Sequence, residues 1–222
     1  MLSELVLMSL PRELATAPLL QAARNHTFPL AFRAQFFPQA HSIFELWSIC
    51  TNSKEFSLAI HIWTDINNLH EDWGIATTAE TTCIDLSALL TLAELDLLDA
   101  FSSAFKTVIF ARGTKLALLK ETMRFGGSHP LALKIEKWRL ANLSKIRIRD
   151  AKSAKIKEAY IKTDEGILTA RQQTLDELIG SGVGETLLLS RKLGLPLYSD
   201  ESCMRHWASH DYQVKSFSTL GL

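Results

Sequence analysis

The chain has 222 residues, 47% of them apolar, with 24 Lys+Arg against 24 Asp+Glu and only 10 Gly and 6 Pro. That size suits one domain of ordinary dimensions, or one with a sizeable extension, and the even charge excludes a generally cationic nucleic-acid coat and an acidic disordered tail. Cys50, Cys83 and Cys203 stand far apart without a Cys-x-x-Cys pair, which excludes a disulfide scaffold and a zinc ribbon and predicts a reducing, cytoplasmic setting.

In chain order, the first forty residues are interrupted by Pro11, Pro18, Pro29 and Pro38, so any helices there are short or begin at a proline. The spacing of Ile43, Phe44, Leu46, Trp47 and Ile49, and then of Phe56, Leu58, Ile60, Ile62, Trp63 and Ile66, predicts two helices joined near Asn52-Ser53. Trp47 and Trp63 read as packing residues at that spacing. Residues 1–78 are therefore expected to form a mainly helical N-terminal extension. The start Met1-Leu2-Ser3-Glu4 lacks the basic residues and apolar block of a secretion signal.

From Thr81 the texture changes. Thr82-Cys83-Ile84 is a short strand candidate ending at Asp85, followed by helical spacing over Leu86–Ala100. The longest apolar run, Leu86–Leu98, is broken by Ser87, Thr91, Glu94 and Asp96 and falls short of the roughly 18 residues of a spanning helix, so no membrane segment is expected. Lys106–Phe110 is a second strand candidate and Thr114–Met123 a helix. Between Lys134 and Lys162 ten cations face three acids; Ile135, Trp138 and Leu143 share one helical stripe, and a basic helical insert is expected at about 124–174. On one reading this insert is a solvated helical face whose cations offset the acids elsewhere in the chain. As a functional element it supplies phosphate contacts from Lys145, Arg147, Arg149, Lys152 and Lys155, with Tyr160 and Trp138 as candidates to stack on bases, although Trp138 reads first as a helix-packing residue. Equally, the insert could seat a partner protein with an acidic tail.

The last unit predicts a helix over Leu175–Ile179, a turn over Gly180–Gly184, and a helix over Glu185–Leu193 capped by Gly194. A strand over Leu195–Ser199, a helix over Glu201–Ser209 and a strand over Tyr212–Phe217 complete it. Such alternation predicts a mainly parallel sheet with helices on its faces, a three-layer α/β/α fold over about 79–222. Functional groups of parallel sheets gather beyond the strands' carboxyl ends. Asp85, Glu185 and the Asp200-Glu201 pair each fall at a strand-to-helix turn or helix start. One alone reads as a helix cap; three at one sheet edge read as a site.

At these residues the chain resembles a PIN domain. Ile84-Asp85-Leu86-Ser87, running into Leu89-Leu90-Thr91-Leu92, resembles the family's first strand, its terminal aspartate and its apolar helix. Gly184-Glu185 followed by Leu187-Leu188-Leu189 resembles the Gly-Glu helix start of one subgroup. Leu197-Tyr198-Ser199-Asp200-Glu201 with Arg205 is similar to that subgroup's late strand, where Asp-Asp is usual, and Val214–Leu220 to its closing strand and Ser/Thr segment.

The resemblance implies a metal-dependent nuclease acting on RNA, as in VapC-like toxins of toxin–antitoxin pairs. Asp85 and Asp200 would be the principal ligands of Mg²⁺ or Mn²⁺, Glu185 and Glu201 would add ligation or orient water, and Ser87 and Thr219 would hold a carboxylate in place. RNA is the implied substrate, and an antitoxin, its acidic tail seated on the basic insert, or a second copy the implied partner. Two departures point to the alternative, a PIN-like binding or regulatory module without catalysis. Ala111-Arg112-Gly113-Thr114-Lys115 stands where the family carries another acid, leaving Glu121 as a displaced candidate or a solvated partner of Lys120. The chain also stops at Leu222, where the family often continues, which points to a shortened member, a fragment or an edge completed by a partner.

Other signals carry less. His206 and His210 stand at i, i+4 without a third ligand nearby, Gly180–Gly184 precedes no Gly-Lys-Ser/Thr, and Ser181 and Ser216 lack a nucleophile's Gly-x-Ser-x-Gly setting.

Overall fold

Short apolar strands, the central ones with side chains alternating between two covered faces, set the architecture. The structure, a computed structural model, describes residues 44–45, 47–48, 69–151, 160–163, 166–169 and 182–222. Helix α1 spans Leu69–Thr78, and β1 (Thr81–Ile84), α2 (Leu86–Glu94), α3 (Leu98–Ala104) and β2 (Thr107–Ala111) follow. Then come α4 (Arg112–Thr122), α5 (Pro130–Ala141), β3 (Ile146–Arg149), β4 (Tyr160–Thr163) and β5 (Gly166–Thr169). The chain closes with α6 (Val183–Leu193), β6 (Leu197–Tyr198), α7 (Ser202–His210), β7 (Ser216–Phe217) and a 3₁₀ turn over Thr219–Gly221.

Five strands form one parallel sheet in the order β3-β2-β1-β6-β7. Ile84 lies opposite both Phe110 and Tyr198, so β1 and β6 end together and β2 runs one residue further, to Ala111. Ile84, Val108, Phe110, Ile146, Tyr198 and Phe217 point to one face, where they meet Leu89, Phe101, Leu118, Ile135 and Trp138 from α2–α5. Cys83, Ile109, Ala111 and Leu197 point to the other, against Leu187 and Leu189 of α6 and Met204 and Ala208 of α7. Burial on both faces is what a parallel sheet requires, and the three-layer α/β/α arrangement follows.

Several elements differ from expectation. The helix predicted across Leu86–Ala100 is two helices: Asp96 adopts φ +59°, and the Leu97 and Asp96 N–H groups bond back to Leu92 and Ala93 carbonyls. That is the left-handed stop in which a short polar side chain substitutes for glycine. The basic stretch is not a helical insert throughout. Ile146-Arg147-Ile148-Arg149 is the edge strand of the main sheet, in register with Val108–Ala111, because apolar and charged residues alternate there with period two rather than at helical spacing. Tyr160–Thr163 and Gly166–Thr169 pair as an antiparallel hairpin.

The expected boundary at residue 79 also passes inside packed structure. Phe44 and Trp47, both helical, are buried in the main core, Glu45 pairs with Arg124, and Ser48 Oγ lies 2.6 Å from His129 Nε2. The remaining expectations for residues 1–68, the helix at 175–179, and Lys152, Lys155, Gly180 and Ser181 lie outside the described residues. Among the described residues no helix is long and apolar enough to cross a membrane.

Candidate functional site

Because β1 and β6 are adjacent and end in register, the residues that follow them leave the sheet side by side, about one strand spacing apart. After β1, Asp85 is extended and caps α2: its Oδ1 accepts the Ala88 N–H at 2.9 Å and the Ser87 hydroxyl at 2.7 Å. Asp85 Oδ2 accepts the Ser199 hydroxyl at 2.5 Å. After β6, Asp200 Oδ1 accepts the Thr219 N–H at 2.7 Å and Oδ2 the Thr219 hydroxyl at 2.6 Å. The Asp200 N–H donates to Ser87 Oγ at 3.2 Å, and Ser87 and Ser199 Oγ atoms are 3.4 Å apart. One hydroxyl network therefore spans both aspartates, each 1% exposed.

Burial pushes the Asp85 carboxyl up to about 6; hydrogen bonds from Ala88, Ser199 and Ser87 pull it back, and the Asp200 charge adds to the rise. Asp200 is raised by burial too, with the Thr219 bonds, a Thr91 hydroxyl and the Arg205 charge opposing. Tyr198 Oη lies 2.7 Å from Thr219 Oγ1. The threonine proton is given to Asp200, so the tyrosine hydroxyl is the donor between them. Burial and the two aspartate charges hold that phenol well above its usual value.

Glu185 takes a different place. From the first turn of α6 its Oε2 accepts the Gly113 N–H at 2.5 Å and its Oε1 the Ala151 N–H at 3.1 Å. Gly113 sits in the first turn of α4, whose N-cap Ala111 offers no side-chain acceptor. Glu185 supplies the missing acceptor and meets the positive end of the helix. Gly113 has to be glycine: an added Cβ would lie 2.5 Å from Gly182 Cα and 2.8 Å from Glu185 Oε2. Among the described residues no three His, Cys, Asp or Glu side chains are grouped so as to hold a metal.

Glu201 is buried at the N-cap of α7, its N–H donating to Ser199 Oγ at 3.3 Å. Glu121 lies near the other end of α4, about 12 Å along the helix from Gly113 at 1.5 Å per residue, and bonds Arg124 at 3.4 Å. Of the expected phosphate contacts, Lys145 precedes β3 at the sheet's amino edge and donates to the Ser102 carbonyl, away from the aspartates. Arg147 and Arg149 are exposed, and Arg149, opposite Ala111, ends β3 at the carboxyl edge. The His206 and His210 rings are 4.2 Å apart and exposed.

Sequence reasoning did not single out Ser199, whose hydroxyl reaches Asp85. Its only local signal is its place between the last strand residue and Asp200. The donor set fits one hard divalent cation at the Asp85–Asp200 pair: such ions take oxygen ligands, and Mg²⁺ commonly uses one or two carboxylates with water. A carboxylate has about four acceptor positions, more than the donors named here fill. Burial is the largest cause of the rise at both groups, offset by hydrogen bonds at Asp85 and by hydrogen bonds and the Arg205 charge at Asp200; a divalent cation would relieve what is left.

A family model described as "PIN domain associated with the TPR-GreAB-C-PIN system" matches residues 83–210, more than half of the chain. No curated protein matches it.

Proposed function

Since this chain belongs to the PIN domain family, we propose that it is a metal-dependent ribonuclease centred on Asp85 and Asp200. The observation that carries this reading is the pair of buried carboxylates at the ends of adjacent strands, joined through Ser87 and Ser199. These two side chains would hold Mg²⁺ or Mn²⁺, which when bound supplies a Lewis acid that activates water and neutralises phosphate charge. Ser87, Ser199 and Thr219 fix the carboxylate orientation through their hydrogen bonds, the kind of support that sets metal affinity. Arg149, at the same edge of the sheet, and Arg147 meet the phosphates of the RNA strand and make its binding salt-dependent without reading sequence.

The test compares RNA cleavage by wild type and Asp200→Asn with Mn²⁺ and with EDTA. The expected outcome is a loss of about a hundredfold or more in the variant and none of the activity in EDTA; equal cleavage by both proteins sinks the reading. A second reading, a PIN-type binding module without catalysis, is favoured by one observation: Glu185 is engaged with backbone N–H groups of Gly113 and Ala151, in a chain with no acid between Ala111 and Lys115. Salt-dependent RNA binding without Mn²⁺-dependent cleavage would select it.

A further inference from the structure

Helix α1 precedes the stretch that matches the family, yet it reaches the site. Asp72 is 4% exposed, and its Oδ2 receives three donors: Arg205 Nη1 at 2.7 Å, the Ser218 hydroxyl at 2.9 Å and the Ser218 N–H at 3.2 Å. The next residue, Thr219, turns its own N–H and hydroxyl onto Asp200. Two consecutive residues are thus clamped between two carboxylates, one on α1 and one after β6. The turn cannot move away from α1 without breaking these bonds, and it lies so close that a Cβ on Gly221 would come within 2.6 Å of Asp72 Cβ.

From this we infer that Asp72 is a positioning residue for the Asp200 carboxylate, acting through Ser218 and Thr219. The inference deepens the nuclease reading and rests on it for Asp200 as a metal ligand. Asp72 has a second effect through charge. Arg205 is partly buried, its side chain 12% exposed; its Nε has no hydrogen-bond partner among the described residues, and the two carboxylates acting on it are Asp72 and Asp200. Without Asp72 the guanidinium is left with Asp200 as its counter-charge and competes there with a divalent cation. An ion pair that merely ties α1 to α7 would do neither.

The ¹H–¹⁵N resonance of Thr219 in the full chain decides between the two. An N–H bonded to an ionised carboxylate at this distance is strongly deshielded, and Asp200→Asn identifies the shift that follows when that charge is removed. Asp72→Ala is expected to move the Thr219 amide upfield in the same sense and to weaken Mn²⁺ binding about tenfold or more, while α4 and α5 resonances stay in place. Ser218→Ala keeps the Asp72–Arg205 pair, so it answers the question should Asp72→Ala fail to fold. A folded variant whose Thr219 amide stays at its wild-type position overturns the inference. A wild-type chain that takes up no Mn²⁺ overturns the metal reading alone, and the Thr219 amide still decides for or against Asp72.

Discussion

At the scale of single residues, Asp85 is held in the folded chain at a cost. Its carboxyl moves from the usual 3.8 to about 6 because burial opposes the charged form, a displacement worth about 3 kcal/mol at 1.36 kcal/mol per unit. Between about pH 4 and pH 6 the folded state keeps a proton that the unfolded state has released, so stability falls as pH rises through that window. The penalty is full above pH 6 and absent below pH 4. Asp85→Asn keeps the shape and the acceptor for Ala88 and Ser87 and turns an NH₂ toward Ser199, whose hydroxyl, unlike a backbone N–H, can rotate and accept. It is therefore expected to be more stable than wild type at pH 7.5 by about 1–3 kcal/mol. The advantage should fade toward pH 4. Thermal melts of both proteins across that range check this; a variant less stable than wild type at pH 7.5 would show that the hydrogen bonds outweigh desolvation. Mn²⁺ should narrow the gap by stabilising wild type alone.

At the scale of elements, Glu185 and the paired glycines decide how α6 meets α4. Glu185→Gln leaves one oxygen for two backbone N–H groups and turns an NH₂ toward the other, so a loss of about 1–3 kcal/mol is expected with Mn²⁺ affinity unchanged. Chemical denaturation and Mn²⁺ titration of the same protein separate the roles: unchanged stability with lost Mn²⁺ affinity would make Glu185 a ligand instead. Gly113→Ala should destabilise comparably, about 1–3 kcal/mol, because the neighbouring backbone at Gly182, itself at φ +88°, has no room to yield. A variant melting with wild type would refute the close approach. The element most easily misread is β3. Its cations suggest a role set by charge, whereas the alternation of Ile146 and Ile148 with Arg147 and Arg149 is the feature that makes it the sheet's edge strand.

At the scale of the whole molecule, the working unit begins before the family-matched stretch. Phe44 and Trp47 are buried in the main core, Asp72 anchors α7 and the final turn, and Ile75 and Ala76 of α1 pack against the same core. Truncating a buried Phe or Trp commonly costs about 3–5 kcal/mol, against a total stability of about 5–15 kcal/mol. A fragment of residues 79–222 is accordingly expected to be largely unfolded or to show a much lower urea midpoint than the full chain. A fragment with the full chain's midpoint would show that the upstream contacts contribute little.

What the amino-acid order determined by itself was everything carried by short-range periodicity. Apolar runs of strand length separated by helices specify a parallel sheet, and an aspartate directly after Ile84 or Ser199 falls at the carboxyl edge whatever else the chain does. Residues 85 and 200 were legible for that reason, as was the left-handed glycine that ends α6. Tertiary structure alone decided which donors each carboxylate meets. Glu185 turns to Gly113 across 72 residues of sequence, and Asp72 meets Arg205 across 133 and Ser218 across 146. Periodicity says which face or end a side chain occupies. Its partner is set by which N–H and hydroxyl groups the packing leaves to be satisfied, and no local pattern records that.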